Sequence, residues 1–239
     1  MTFVTCVNDV NEFRRCLLAS PCFTANTYDL AIHLSVFSAA EAFNSEMNRR
    51  PQACWLVWVH QDVFLPQGWD LRFIEALAEA EIRVPGTAVV GVYGVIGAGD
   101  DARHAGNLLD RSSPLRGEVA LPCRVDSIDE LLFAVRTDSG LMLDAALGFD
   151  LYGTDLALTA RAAGYEVVVV DAYCEHCSRT TQEFVSESTL ARIAKSGEVF
   201  EKKWAHRLPV VTPCCIINEI GDVQRKLNEI KSQRTDSSP

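Results

Sequence analysis

In the segment Trp55–Trp69, WLVWVHQDVFLPQGW, an apolar run stops at His60-Gln61-Asp62 and resumes at Val63. At alternate positions of an extended strand end, an imidazole and a carboxylate project to the same side. Together they can ligate a divalent cation such as manganese or magnesium. A plainer role is open to both, with Asp62 capping a turn and His60 ending a strand half-buried. Cys174-Glu175-His176-Cys177 follows a second apolar run. Its Cys-x-x-Cys spacing lacks the second ligand pair of a four-coordinate structural zinc, and Cys214-Cys215 are adjacent and poorly spaced for that task. His176 can instead join His60 and Asp62 in a mixed N/O site if the strand it follows lies in the same sheet as theirs. Tyr152-Gly153-Thr154-Asp155 opens a helical pattern, where a carboxylate is stabilised by the helix dipole or serves as a general base toward a hydroxyl. Gly97-Ala98-Gly99-Asp100-Asp101-Ala102 matches a dinucleotide fingerprint nominally. However, Gly106 and Ser112-Ser113-Pro114 leave little helix to receive a pyrophosphate, and Asp100-Asp101 put negative charge where phosphates belong.

The elements that must position these groups are legible from periodicity. Phe3–Val7 reads as a strand, with Asn8-Asp9 capping a helix over NEFRRCLLAS. Tyr28–Leu34 is a second strand, and Ser38 caps a helix over AAEAFNSEMNRR that Pro51 stops. Cys54–Val59 is a strand apolar on both faces, as in parallel sheets covered on each side. Gly68–Ala80 reads as a helix and Thr87–Val95 as a fourth, buried strand. Residues 96–118 carry Gly, Ser, Pro and charge and are expected to form a long loop. Strands follow at Val119–Val125, Glu130–Arg136 and Glu166–Val170, with a helix over 150–163 ended by Gly164. Ser186–Trp204 and Asn218–Gln233 are helical, and RTDSSP is a frayed tail. The polar face of the last helix allows packing on its own domain or on a second copy in a homo-oligomer. The alternation predicts an α/β fold with a central, mostly parallel sheet flanked by helices. In crevices outside the carboxyl ends of such strands, ligands bind.

Composition narrows the function. The 239 residues have a net charge of −10, which argues against a nucleic-acid partner, and a hydrophobic share of 48%, ample for a core. No apolar run is long enough for a membrane span, and the N-terminus lacks a signal-peptide pattern. Nine cysteines, several inside apolar runs, fit reduced thiols in a cytoplasmic protein.

In order along residues 3–180, these segments resemble the GT-A glycosyltransferases, in particular the family-2-like group. FVTCVND resembles the strand and loop that hold the donor nucleoside, with Val7 and Asp9 as contacts, and SAAEAFNSEMNRR the helix carrying an Asn, here Asn44. WLVWVHQDVFLPQGW is similar to the strand ending in D-x-D. VDSIDELLFAVR resembles the segment shaping the donor-sugar pocket, with Asp126 and Asp129, and FDLYGTDLALTARAAGYEVVVVD the acceptor-side helix. The resemblance implies a GT-A, Rossmann-like domain over residues 1–210 with a helical extension over 211–239. It implies Asp62 and His176 as ligands of Mn2+ or Mg2+, His60 as ligand or donor contact, and Asp155 as the base. It also implies a nucleotide sugar, foremost a UDP-sugar, as donor and a glycan or other hydroxyl as acceptor, transferred with inversion. His60 stands where the family has its first acid and Thr154 where it often has Glu. A degenerate GT-A domain that binds without turnover is therefore the alternative, and a dinucleotide-dependent oxidoreductase a distant third.

Overall fold

In the computed structural model, residues 1–25, 28–50, 54–178 and 185–236 are described. In chain order the strands and helices begin with β1 (Thr2–Val7), α1 (Val10–Arg15), α2 (Pro21–Thr24), β2 (Leu30–Leu34), α3 (Ala39–Arg49) and β3 (Trp55–Val59). They continue through β4 (Val63–Phe64), α4 (Trp69–Arg83), β5 (Thr87–Gly91), β6 (Tyr93–Ile96), β7 (Arg103–Asp110), β8 (Ser113–Arg116), β9 (Cys123–Arg124), β10 (Ser127–Ile128) and β11 (Leu132–Arg136). The rest are α5 (Tyr152–Ala162), β12 (Glu166–Val169), β13 (Cys174–His176), α6 (Glu187–Lys203), β14 (Val210–Val211), β15 (Ile216–Ile217) and α7 (Asp222–Asp236).

Seven strands make the central sheet in the order β2-β1-β3-β11-β5-β12-β9. β2, β1, β3, β5 and β12 run one way, while β11 and β9 oppose their neighbours. The expected mostly parallel sheet is thus present. Its strands are apolar on both faces because helices cover both. On β3, Leu56 and Trp58 face one core with α3, α5 and α6, and Val57 and Val59 face the other with α1, α2 and α4. Helix α4 shows the pattern that makes this possible, burying Trp69, Phe73, Leu77 and Ala80 at three- and four-residue spacing. Ser38 caps α3 by accepting from the Glu41 amide, and Gly164 takes φ +85° just beyond α5, where a left-handed residue ends a helix.

Two expectations fail between residues 87 and 118, for one reason. Thr87–Val95 is not a single strand: the chain leaves the central sheet after Gly91 and enters a second sheet, ordered β10-β6-β7-β13-β4. Gly94 permits the crossing, because a Cβ there would run into the Ser127 carbonyl oxygen. The expected loop over 96–118 is mostly the hairpin β7–β8 of that sheet, turned at Arg111 and Ser112, whose φ values are +49° and +74°. In the other direction, Val119–Val125 contains strand only at Cys123–Arg124. Gly99–Asp101 forms a single 3-10 turn that runs into β7, so no helix follows the nominal dinucleotide fingerprint.

Helix α7 begins at Asp222 rather than Asn218; the Asn218 amide and side chain both donate to the Asp222 carboxylate. It lies on α6, where Glu201 accepts from the Gly221 and Val223 amides. Pro51 and the last residues of the expected tail, 237–239, lie outside the described residues. Among the described residues no helix is long and apolar enough to cross a membrane.

Candidate metal and donor site

β3 ends at Val59, and the chain turns through His60 to Val63, whose amide donates to the His60 carbonyl at 3.2 Å. The His60 amide donates to the Leu131 carbonyl, just before antiparallel β11, and the Cys177 amide donates to the Asp62 carbonyl at 2.7 Å. These bonds fix a turn that a three-residue polar break in an apolar strand would not hold alone. β13 then pairs antiparallel with β4, setting His176 against Val63, and parallel with β7, setting His176 against Asp110. The register therefore brings together side chains far apart in the chain. One ligand atom from each of His60, Asp62 and His176 lies within 4.8 Å of the other two.

The two imidazoles are held differently. Asp110 Oδ1 lies 2.7 Å from His176 Nδ1, and Asp62 Oδ2 lies 3.3 Å from His176 Nε2. Burial alone would lower the His176 pKa, but its bonds to two carboxylates outweigh that and push it up to about 9. Burial would raise the Asp62 pKa, yet the hydrogen bond from His176 and the charges of both histidines hold it down at about 2. His60 Nε2 meets the Tyr152 hydroxyl at 2.7 Å, and that hydroxyl accepts from Trp58 Nε1 at 3.1 Å. Burial pushes the His60 pKa down to about 4, opposed by the Asp62 charge. His60 is thus neutral near pH 7 and His176 carries a proton between two carboxylates. A carboxylate behind a histidine fixes its tautomer and aims its other nitrogen outward, the usual support of a metal ligand. Two imidazoles and one carboxylate are a mixed N/O donor set for a divalent transition metal such as manganese, and fit magnesium, which prefers oxygen ligands, less well.

Beside this cluster lies an open cavity of ≈ 380 Å³. Its walls are the carboxyl end of β1 (Cys6, Val7, Asn8), the residues after β2 (Ser35, Val36), and Trp58, Phe149, Tyr152 and Arg192. His60, Gln61 and Asp62 form one side. Gln61 ties the metal turn to the β1 loop, its Oε1 accepting from the Asn8 and Asp9 amides at 3.0 and 3.1 Å. The cavity sits at the carboxyl edge of the central strands, where α/β sheets bind ligands.

Of the residues expected in the site, the structure brings Val7, His60, Asp62 and His176 together and leaves the others elsewhere. Asp9 uses its carboxylate to cap α1, accepting from the Asn11 and Glu12 amides. Asn44 is turned to the Leu143 backbone, donating to its carbonyl and accepting from its amide, both at 2.9 Å. Asp129 accepts from the Leu131 amide, and burial raises its pKa; it is not on the cavity wall. Asp126 is engaged by the Gly97 amide and by Arg161.

Asp155 departs furthest from expectation. It is 1% exposed, ion-paired at 2.7 Å to Lys203, the last residue of α6, and bonded at 2.8 Å by Nε1 of Trp204, which follows it. The first turn of α5 shows the cavity Tyr152, not Asp155. Its carboxylate is turned to Lys203 and Trp204 and is not on the cavity wall. Asp150, 13% exposed, lies 3.1 Å from Arg192 of the cavity wall. Burial raises the Asp150 pKa, with the Arg192 charge opposing. Asp110, Gln61, Tyr152 and Arg192 went unmarked as site residues in the sequence. Only Gln61 and Tyr152, beside marked residues, carried any local signal.

No protein-family model and no curated protein matches this sequence. Solved structures do match it in shape. A mannosyltransferase, PcManGT from Pyrobaculum calidifontis, described in complex with GDP-Man and Mn2+, aligns over 100% of this chain and 75% of its own, with TM-score 0.51 and 9% identity. GalNAc-T7, described with UDP, GalNAc and Mn2+, aligns over 98% of this chain and 54% of its own, with TM-score 0.52 and 12% identity. The strand order, the crossing between two sheets and these likenesses agree on one conclusion: the chain has the GT-A glycosyltransferase fold.

Proposed function

We propose that this protein is a cation-dependent glycosyltransferase that moves a sugar from a nucleotide diphosphate donor, foremost a UDP-sugar, to an acceptor hydroxyl. The observation that carries this reading is the His60–Asp62–His176 cluster at the mouth of the ≈ 380 Å³ cavity. The donors and Mn2+ named for the two structural neighbours support it. Asp62 and His176, with His60, would hold Mn2+ or Mg2+, and the bound cation would supply positive charge to a departing diphosphate. Val7 and the residues after β2 enclose the nucleoside, and Arg192 adds positive charge within an otherwise acidic chain. In this reading Asp150, not Asp155, takes the proton of the acceptor hydroxyl as its oxygen attacks the anomeric carbon. The sugar–phosphate bond breaks in the same displacement and the configuration inverts. All nine cysteines are free, which favours a reducing, cytoplasmic setting.

A second reading, a domain that binds a nucleotide sugar without turnover, draws support from the enclosed Asp155 at the place the resemblance gives to the base. One experiment separates the two. Hydrolysis of UDP-, GDP- and dTDP-sugars is followed with Mn2+, with EDTA and in Asp62→Ala. Turnover that requires the cation and Asp62 supports the transferase. Cation-dependent binding of UDP without turnover supports the second reading, and neither binding nor turnover overturns both.

A further inference from the structure

A second concavity, ≈ 790 Å³, runs beside the first between α3, residues 145–148 and α6, and Arg192 lines both. Its volume lies in the range of about 300–1,000 Å³ of sites that enclose a small ligand. Its lining includes the small residues Ala40, Ala145, Ala146 and Gly148, which leave it wide. Phe37 stands at its rim, 91% exposed.

Phe37 is unusual for its place in the helix. It precedes the cap Ser38, a position whose apolar side chain ordinarily folds back onto the helix as a staple. Here the staple is not made, yet the backbone is fixed: the Phe37 amide donates to Glu41 Oε2 at 2.9 Å and the Glu41 amide to Ser38 Oγ at 3.1 Å. On this fixed backbone, the solvent-facing aromatic ring offers a flat apolar face. The opposite rim carries Lys195, exposed and without a carboxylate partner among the described residues. An aromatic face opposite polar and cationic groups is the chemistry that receives a sugar ring, whose C–H face stacks while its hydroxyls or acidic substituents are bonded at the edge.

We infer that this groove binds the distal residues of an oligosaccharide acceptor, with Phe37 stacked on one ring and Lys195 bonding another, while the reacting end enters the cavity past Arg192. The acceptor assignment rests on the transferase reading above; the saccharide site itself does not. The test is an array of neutral and acidic mono- and oligosaccharides probed with the full chain carrying Mn2+ and UDP. Oligosaccharides are expected to bind better than monosaccharides, and Phe37→Ala to weaken that binding about tenfold, the loss of one stacking contact. Lys195→Glu is expected to remove any preference for acidic chains, and Leu71→Ala, on the exposed side of α4, to serve as the unaltered control. No oligosaccharide binding, or binding indifferent to Phe37→Ala, overturns the inference. Wild-type donor hydrolysis is read in parallel. Its absence with Phe37-dependent binding intact sinks the transferase assignment and leaves a saccharide-binding groove, whereas hydrolysis without such binding sinks the groove alone.

Discussion

In the proposed metal site, burial is outweighed by two carboxylate partners that leave His176 protonated at neutral pH, so a cation binding there would have to expel a proton. With its pKa at about 9, only about one molecule in a hundred presents the neutral imidazole at pH 7, a penalty of about 3 kcal/mol. His60, pushed to about 4, is already neutral and adds no such penalty. Mn2+ affinity should therefore rise about tenfold from pH 7 to 8 and again toward 9, then level off, with ~1 proton released per ion. Calorimetric titration of the EDTA-treated protein in two buffers of unlike ionisation enthalpy measures both quantities. Equal affinity at pH 7 and 8 with no proton release would refute the reasoning. Without the cation, the same group has the opposite consequence for stability. The His176 pKa is raised on folding, so its contribution is complete below 6.5 and is lost as pH rises through 9. The Asp62 contribution, from a depressed pKa, is present above 3.8 and is lost as pH falls through 2. His60, also depressed, favours the fold above 6.5 and ceases to do so as pH falls through 4.

Five substitutions extend the test. Asp62→Ala is expected to abolish the Mn2+-dependent rise in melting temperature together with donor hydrolysis. Tyr152→Phe removes the hydroxyl that orients His60 and should weaken Mn2+ binding by about 10–100-fold, as loss of a ligand's supporting bond does, without unfolding the chain. Lys203→Met strands the Asp155 charge; urea denaturation should show a loss of about 3 kcal/mol, the low end for breaking a buried pair, because Lys203 keeps 33% of its side chain in water. Adding Asp155→Asn should restore part of that loss. Gly106→Ala puts a Cβ at φ +106° against the Val92 carbonyl oxygen, and chemical denaturation should report a cost of about 3 kcal/mol.

The sequence was informative wherever one local rule decided the outcome. The Asp9 and Ser38 caps, Gly164 and the two-faced apolar strands stand where periodicity put them, because burial and capping act over a few residues. It misled where a sheet crossing or an unusual turn intervened. Arg111-Ser112 makes a turn of positive φ that Asn-Gly ordinarily signals, so the hairpin β7–β8 passed for a loop and took Asp110 with it. Asp110 becomes a site residue only when β13 lies beside β7, and no local pattern encodes that pairing. The same limit applies to Asp155. A carboxylate at a helix start looks alike whether it faces a cavity or, as here, a lysine and a tryptophan from a helix 48 and 49 residues later. The resemblance marked His60, Asp62 and His176, which the structure brings together, because strand ends carry recognisable polar breaks. It put the base at Asp155, whose surroundings depend on which side of α5 is covered by α6.

The pairing that sets His176 between Asp62 and Asp110 also fixes when the centre can exist during synthesis. Nearly half of the chain separates Asp62 from His176, so none of the ligating geometry is present until β13 has docked between β4 and β7. Such distant contacts form after local ones have taken the entropy of closure. A ribosome-bound chain released only as far as β12 would carry a completed central sheet but not the His60–Asp62–His176 cluster. Cation capture would then mark the moment at which the second sheet closes.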